Sequence, residues 1–309
     1  YGLRYRPVDM KGPAMTKREK IGLIGVGRMG EAIGLRLLEQ GFSVAGVAHR
    51  NRTRLERLIE AGATDGVDVE QACADSDVLI ICVTSGAPLE AVMFELMDNL
   101  KQGQRVIDCS TGDPEGTARS ASLAKGRGAA LVDAAILHST PRTRVGESVL
   151  LVGGDPSDVQ SVQPIFKGFA KTVIHAGGPG EGQRLKLFSN ALLHSVLALT
   201  SELAAHARSR GINLDQLHEV FMSAGAASKV VDNVMTAAKT GEHNPNAVIV
   251  NTMNAIKTYQ KMAQRENVLS PVTEGAYTAY RIGVGAGLRD DPITRLVDAL
   301  AEANARLKT

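Results

Sequence analysis

Three closely spaced glycines constrain this chain more than any other feature. Gly25-Val26-Gly27-Arg28-Met29-Gly30 follows an apolar run at 21–24 and opens a stretch, 31–40, whose apolar residues recur at helical spacing. A chain that passes from a buried strand into a helix this way uses its first glycine for the tight turn. The second lets the backbone approach a ligand, and the third lets helix pack closely on sheet. The N–H groups and positive end of such a helix suit a pyrophosphate, so Gly25, Gly27, Arg28, Met29 and Gly30 are candidate dinucleotide contacts. Without a ligand the segment would be an ordinary glycine turn. Strand and helix on its two sides favour the binding reading.

The pattern around this turn repeats. Short apolar runs at 21–24, 44–48, 78–83, 105–108, 130–134, 148–152 and 172–175 alternate with helical stretches, each run bounded by Gly, Asp or Pro. That alternation predicts βαβ units and a parallel, doubly wound α/β sheet of Rossmann type. After Gly177-Gly178-Pro179-Gly180 the β-branched runs thin out, and apolar residues recur at three and four over 185–207 and 247–263. This predicts an all-α C-terminal domain. A length of 309 residues calls for two domains. We expect a dinucleotide-binding domain over 15–178 and a helical substrate and oligomerisation domain over 179–309, whose first helix would line an interdomain cleft. Residues 1–14 show no period and precede Met15, and read as a mobile extension or cloning remnant.

Composition removes several function classes. A formal charge of +2 gives no strong field for nucleic acid. Cys73, Cys82 and Cys109 fit no metal or redox spacing and read as reduced thiols, which points to the cytoplasm and to no metal site. No run of apolar residues reaches the roughly 18 to 20 that span a bilayer, and no signal peptide opens the chain, so neither membrane nor secretion is expected.

Chemistry-bearing residues sit where the βαβ pattern ends its strands. After the run 44–48 the chain reads His49-Arg50-Asn51-Arg52-Thr53-Arg54, with no Asp or Glu to accept from a ribose 2′-hydroxyl. Guanidinium groups suit a 2′-phosphate, so Arg50, Asn51, Arg52 and Thr53 are cofactor-binding candidates and NADP is favoured over NAD. A solvated basic helix start is the alternative. Val83 and Thr84, at the end of the run 78–83, are further cofactor-binding candidates. In Asp108-Cys109-Ser110-Thr111-Gly112-Asp113-Pro114, Ser110 reads either as a donor to a substrate oxygen or as a turn residue ahead of Pro114. In Gly180-Glu181-Gly182-Gln183-Arg184-Leu185-Lys186-Leu187-Phe188-Ser189-Asn190, Lys186 and Asn190 share one helix face. There Lys186 can serve as proton donor to an oxygen that gains charge, with Asn190 holding the lysine or the substrate. A solvated lysine is the ordinary alternative.

Together these three ordered segments resemble the β-hydroxyacid dehydrogenases, a family that includes 3-hydroxyisobutyrate dehydrogenases, over roughly residues 20 to 305. The resemblance implies that Lys186 is the catalytic acid/base and that Ser110, Asn190 and Lys257 contact substrate or cofactor. It also implies a small β-hydroxy acid or its semialdehyde as substrate (3-hydroxyisobutyrate, tartronate semialdehyde or sulfolactaldehyde) and a homodimer or homotetramer. The chain departs from the family at its substrate cradle. Where the family has Asp-Ala-Pro-Val-Ser-Gly-Gly, this sequence reads Asp133-Ala134-Ala135-Ile136-Leu137-His138-Ser139, followed by Thr140-Pro141-Arg142. His138, Ser139 and Arg142 are therefore candidate substrate contacts. The family's Lys-Asp-Leu becomes Lys257-Thr258-Tyr259. Rival readings are an imine reductase, whose catalytic position typically holds a residue other than Lys, and a non-catalytic NADP-binding module.

Overall fold

Alternation of side chains along the strands builds two cores at once, because neighbouring residues of a strand face opposite sides of its sheet. The computed structural model describes residues 19–49, 52–84, 86–137, 139–245 and 247–307. Its strands are β1 (Lys20–Ile24), β2 (Ser43–Val47), β3 (Thr64–Asp65), β4 (Val78–Ile81), β5 (Arg105–Asp108), β6 (Ala130–Ile136), β7 (Ser148–Gly153) and β8 (Ala170–Gly177). They form one sheet in the order β3-β2-β1-β4-β5-β6-β7-β8. Ile21, Leu23, Val78, Ile80, Ile107 and Val132 enter one core, with side chains of α1 (Arg28–Glu39), α2 (Thr53–Glu60) and α7 (Pro156–Phe169). Ile24, Leu79, Ile81, Val106 and Leu131 enter the other, with α3 (Val69–Asp75), α4 (Ala87–Asn99) and α5 (Pro114–Gly126). This is the doubly wound α/β fold that the sequence predicts.

Three details differ from the sequence expectation. The two-residue β3 is too short for a period to reveal it, and it pairs with β2 through Ala45↔Thr64 and Gly46↔Asp65. β4 ends at Ile81, leaving Val83 in the loop beyond. The sheet is mixed rather than parallel: β7 runs antiparallel to β6, from Asp133↔Gly153 to Ile136↔Leu150. A parallel return needs a crossover of about a dozen residues or more. The link here is short, and α6 (Thr140–Arg144) occupies much of it.

The chain divides into two compact units at Lys186/Leu187. This contact division lies inside the continuous helix α8 (Glu181–Ser209), a little beyond the boundary expected at 178/179. By length and composition α8 is apolar enough to cross a membrane, contrary to the sequence reading; half of its most apolar window is buried within the protein. A helix at the centre of a helical unit passes the same test.

In the second unit α8 is followed by α9 (Leu214–Ser223), α10 (Lys229–Thr240), α11 (Ile249–Arg265), α12 (Pro271–Gly285) and α13 (Leu296–Arg306). Two of these starts carry side-chain caps: Asn213 accepts from Asp215 N and Gln216 N, and Ser228 from Val231 N. Val234, Met235, Ile249, Ile256, Tyr280, Leu296 and Val297 form the core of this unit. The buried Tyr280 hydroxyl donates to the His194 carbonyl oxygen at 3.0 Å, which ties α12 to α8.

Candidate active site

At the carboxyl end of β1 the glycine turn has the geometry its sequence requires. Gly25 lies at φ +100°, and a Cβ there would stand 2.4 Å from the Cys82 carbonyl oxygen. A Cβ on Gly30 would stand 2.1 Å from the Gly25 carbonyl oxygen. Gly27 differs, because a Cβ there would meet none of the described residues within 4 Å. The first and third glycines close the turn, and the second faces open space at the first turn of α1. A cradle of backbone at a helix N-terminus, open only at its middle glycine, fits a dinucleotide pyrophosphate. Arg28 is exposed beside this opening, and Met29 packs partly into the core.

The neighbouring strand ends are knitted together by Ser110. Its hydroxyl accepts from Val83 N at 3.1 Å, and its carbonyl accepts from the Gln183 side chain at 2.9 Å. Its amide donates to Asp108 Oδ1 at 2.9 Å, and its hydroxyl also engages that carboxyl group. With only 3% of its surface exposed, Ser110 binds two loops to each other, which favours its reading as a turn residue over that of a substrate donor. Asp108 is fully buried, its Oδ2 has no hydrogen-bond partner among the described residues, and burial raises its carboxyl to about 6. Thr84, the other candidate beyond β4, is exposed.

Lys186 owes its place to two residues that the sequence did not single out. Asp133, fully buried on β6, accepts from Gly180 N at 2.7 Å with Oδ1 and from Gln183 N at 2.9 Å with Oδ2. It thereby satisfies the open N–H groups at the start of α8 from a distant strand, as a cap does from nearby. Burial raises its carboxyl and the backbone donors pull it back only in part. Gln183 then reaches the other way, accepting from Gly112 N at 2.9 Å as it donates to Ser110. This crowding explains two further glycines. A Cβ on Gly182 would lie 2.5 Å from the Leu151 carbonyl oxygen, and one on Gly180, at φ +91°, would lie 2.3 Å from that of Pro114. Lys186 follows Gln183 by one turn of this pinned helix. It is partly buried, and burial lowers its ammonium to about 8, so both protonation states are accessible near neutral pH.

The remaining candidates are placed as follows. Arg50, Asn51 and His138 lie outside the described residues. Arg52 pairs with Asp65, while Arg54 and Arg57 both pair with Glu31 on α1. The sequence reading that no carboxylate attends the basic run is therefore corrected: two arrive from elements distant in sequence. Thr53 is exposed at the first position of α2. Ser139 precedes α6, which packs along α1 and joins Arg144 to Glu39, the last residue of α1. That ion pair lies about 18 Å along α1 from the glycine turn, at about 1.5 Å per residue. Arg142 is exposed. Asn190 is buried on α8 and belongs to the second unit. There Lys257 lines a groove of about 660 Å³ between α11 and α12 with Gln260, Lys261 and Tyr277. Among the described residues no group of three or more His, Cys, Asp or Glu could hold a metal ion.

Two family models divide the chain between 177 and 180, at the boundary expected from the sequence. Residues 20–177 match a family model described as the NAD binding domain of 6-phosphogluconate dehydrogenase. Residues 180–300 match one described as NAD-binding of NADP-dependent 3-hydroxyisobutyrate dehydrogenase. The chain belongs to the 3-hydroxyisobutyrate dehydrogenase-like family. Within that family it is 30% identical over 212 residues to the 3-sulfolactaldehyde reductase of Escherichia coli, covering 68% of this chain and 70% of that protein. The 3-hydroxyisobutyrate dehydrogenase of Mycobacterium tuberculosis, solved with L-serine, shares the fold at a TM-score of 0.82 with 20% identity, over 92% of this chain and 99% of that one. Psf3, solved with NADP+ and 2-OPP, matches at a TM-score of 0.76 with 26% identity, over 91% and 99%. Family and Rossmann fold together make this chain an NAD(P)-dependent oxidoreductase.

Proposed function

We propose that the chain interconverts a small β-hydroxy acid and its semialdehyde with NADP(H), and that Lys186 moves the proton. The carrying observation is a lysine whose ammonium lies at about 8, on a helix start pinned by Asp133 and Gln183 beside the strand ends that carry Ser110. The nicotinamide, when bound, supplies or accepts the hydride at the carbonyl carbon. In the reducing direction the Lys186 ammonium gives its proton to the carbonyl oxygen as negative charge develops there. In the oxidising direction the free amine takes the proton from the hydroxyl. A non-catalytic module would have no use for a desolvated lysine on a buried anchor, and an imine reductase typically has another residue at this position.

The related 3-sulfolactaldehyde reductase supports an acid-bearing aldehyde as substrate. The bulkier Leu137-His138-Ser139 in place of Ser-Gly-Gly supports an acid group held in part by side chains. Half-exposed Arg52, with Arg50 and Asn51 beside it in sequence, supports NADP over NAD. Exposed apolar side chains along α8, among them Leu192 at 71% and Leu199 at 57%, support a homo-oligomer built on that helix. The three free cysteines support a reducing, cytoplasmic setting.

A panel of methylmalonate and tartronate semialdehydes, glyoxylate, sulfolactaldehyde and cyclic imines tests the reading by loss of NADPH or NADH absorbance. We expect turnover of at least one acid-bearing aldehyde, faster with NADPH. Turnover confined to the imines, or none across the panel, overturns it.

A further inference from the structure

We propose that Asp65 tunes the choice between NADPH and NADH by holding the Arg52 guanidinium that a 2′-phosphate would otherwise engage. The proposal rests on the NADP reading above and deepens it. Asp65 closes the two-residue β3, and its strand neighbour is Gly46 of β2. One residue on, the Val47 carbonyl oxygen accepts from Gly25 N at 2.9 Å and from Val26 N at 3.2 Å. The carboxylate, the end of β2 and the glycine turn thus share one edge of the sheet. The ribose of a dinucleotide lies at this edge, beyond the second strand.

The carboxylate is fixed, whereas the guanidinium can move. Asp65 Oδ1 accepts from Val67 N at 3.0 Å, and Gly66 N donates to the Gly46 carbonyl oxygen at 2.8 Å. Val67 is held at φ +60°, a backbone region that a β-branched residue rarely adopts, so this turn is closely determined. Asp65 Oδ2 takes the Arg52 guanidinium. Apart from this pair, Arg52 is anchored by its backbone, whose carbonyl accepts from Glu56 N at 2.8 Å, and half of its side chain is exposed. The Val67 amide and the Arg52 side chain together hold the Asp65 carboxyl below its usual range. Arg54 and Arg57 are not free to substitute, because Glu31 holds both.

A 2′-phosphate, carrying close to two negative charges, must therefore draw Arg52 from Asp65 or share it, with the Asp65 charge left close by. NADH has a hydroxyl at that position and meets no such competition. Asp65 weakens NADPH selectively, and the sequence distance between Asp65 and Arg52 conceals the contact.

The test is a titration of NADPH and NADH binding to wild type, Asp65→Asn, Arg52→Ala and the double variant. Asparagine keeps an oxygen for Val67 N and loses the charge. Asp65→Asn should tighten NADPH about two- to fivefold, in the range of a half-exposed ion pair, and leave NADH unchanged. In the Arg52→Ala background the same change should yield no gain, which separates release of Arg52 from a general loss of negative charge. Asp65→Ser, which also retains an acceptor, repeats the test if the asparagine variant folds poorly. Unchanged NADPH affinity in Asp65→Asn, or a gain that persists without Arg52, overturns the proposal. So does a weakened NADH, which would make Asp65 a 2′-hydroxyl acceptor. Equal affinities of the wild type for the two cofactors would count against the NADP reading alone, since Asp65→Asn must still tighten NADPH.

Discussion

Around Asp133 both carboxylate oxygens accept backbone N–H groups in a space closed to water, whereas around Arg52 and Arg54 the carboxylates of Asp65 and Glu31 meet guanidinium groups that water also reaches. Both constellations join elements far apart in sequence. They differ in what replaces a lost partner. A backbone N–H buried at the start of α8 has no alternative to Asp133, so that contact is structural. An exposed guanidinium exchanges a carboxylate for water, salt or phosphate at little cost, so the contacts of the basic run are adjustable. On the reading proposed above, the first region holds Lys186 in one place and the second admits a competing anion.

The largest effect should come from the residue that the rigid region carries. Lys186→Ala should lower kcat by about 10²- to 10⁴-fold, with little change in NADPH affinity measured by direct titration. The pH profile gives a second readout. The reducing direction needs the ammonium, so its rate should fall as pH rises through about 8, and the oxidising direction, which needs the amine, should rise through the same value. Near-normal turnover in Lys186→Ala would remove the lysine from the mechanism. A profile without an inflection near 8 would remove the desolvation argument.

Next comes the anchor itself. Asp133→Asn keeps the shape but sets an NH₂ group against an N–H donor at the start of α8. This should cost about 1–3 kcal/mol of stability in urea unfolding, the penalty of a buried donor without a partner. Displacement of Lys186 should also lower kcat, while NADPH binding at the glycine turn should hold. A variant with wild-type stability and rate would show that the start of α8 does not depend on Asp133, and the contrast between the two regions would fail.

The two regions also differ in how far they could be read from sequence. The glycine turn was legible because its requirements are local: a tight turn, an open middle position and a close helix–sheet contact within six residues, as Gly25, Gly27 and Gly30 show. Lys186 was singled out by helical spacing and family resemblance. Its anchor carried one overlooked sign, a lone Asp133 inside the apolar run Leu131-Val132-Asp133-Ala134-Ala135-Ile136, where a charge must find buried partners. The pairing of Arg52 with Asp65 carried none. It depends on a two-residue strand and on a sheet register that no periodicity encodes. The basic run therefore looked unopposed when read along the chain, whereas Arg52 and Arg54 each meet a carboxylate in space.

The smallest effect should come from Glu31, and it is the sharpest test of adjustability. Burial alone would raise its carboxyl, but Arg57 and Arg54 outweigh that and hold it below its usual value. Glu31→Gln releases both guanidinium groups at once. If the region is adjustable, water should take them up, and stability at neutral pH should fall by less than about 1 kcal/mol. Because the folded carboxyl is depressed, the stabilisation it gives is present above the ordinary carboxylate range and lost as pH falls through the lowered value. The difference between wild type and Glu31→Gln should therefore shrink on acidification. NADPH binding should tighten by no more than about twofold in low salt, with the gain lost near 1 M salt, where the screening length drops to about 3 Å. A destabilisation of several kcal/mol that survives high salt would mean that Glu31 is a buried anchor of the same kind as Asp133, and the two ends of this sheet edge would then be built alike.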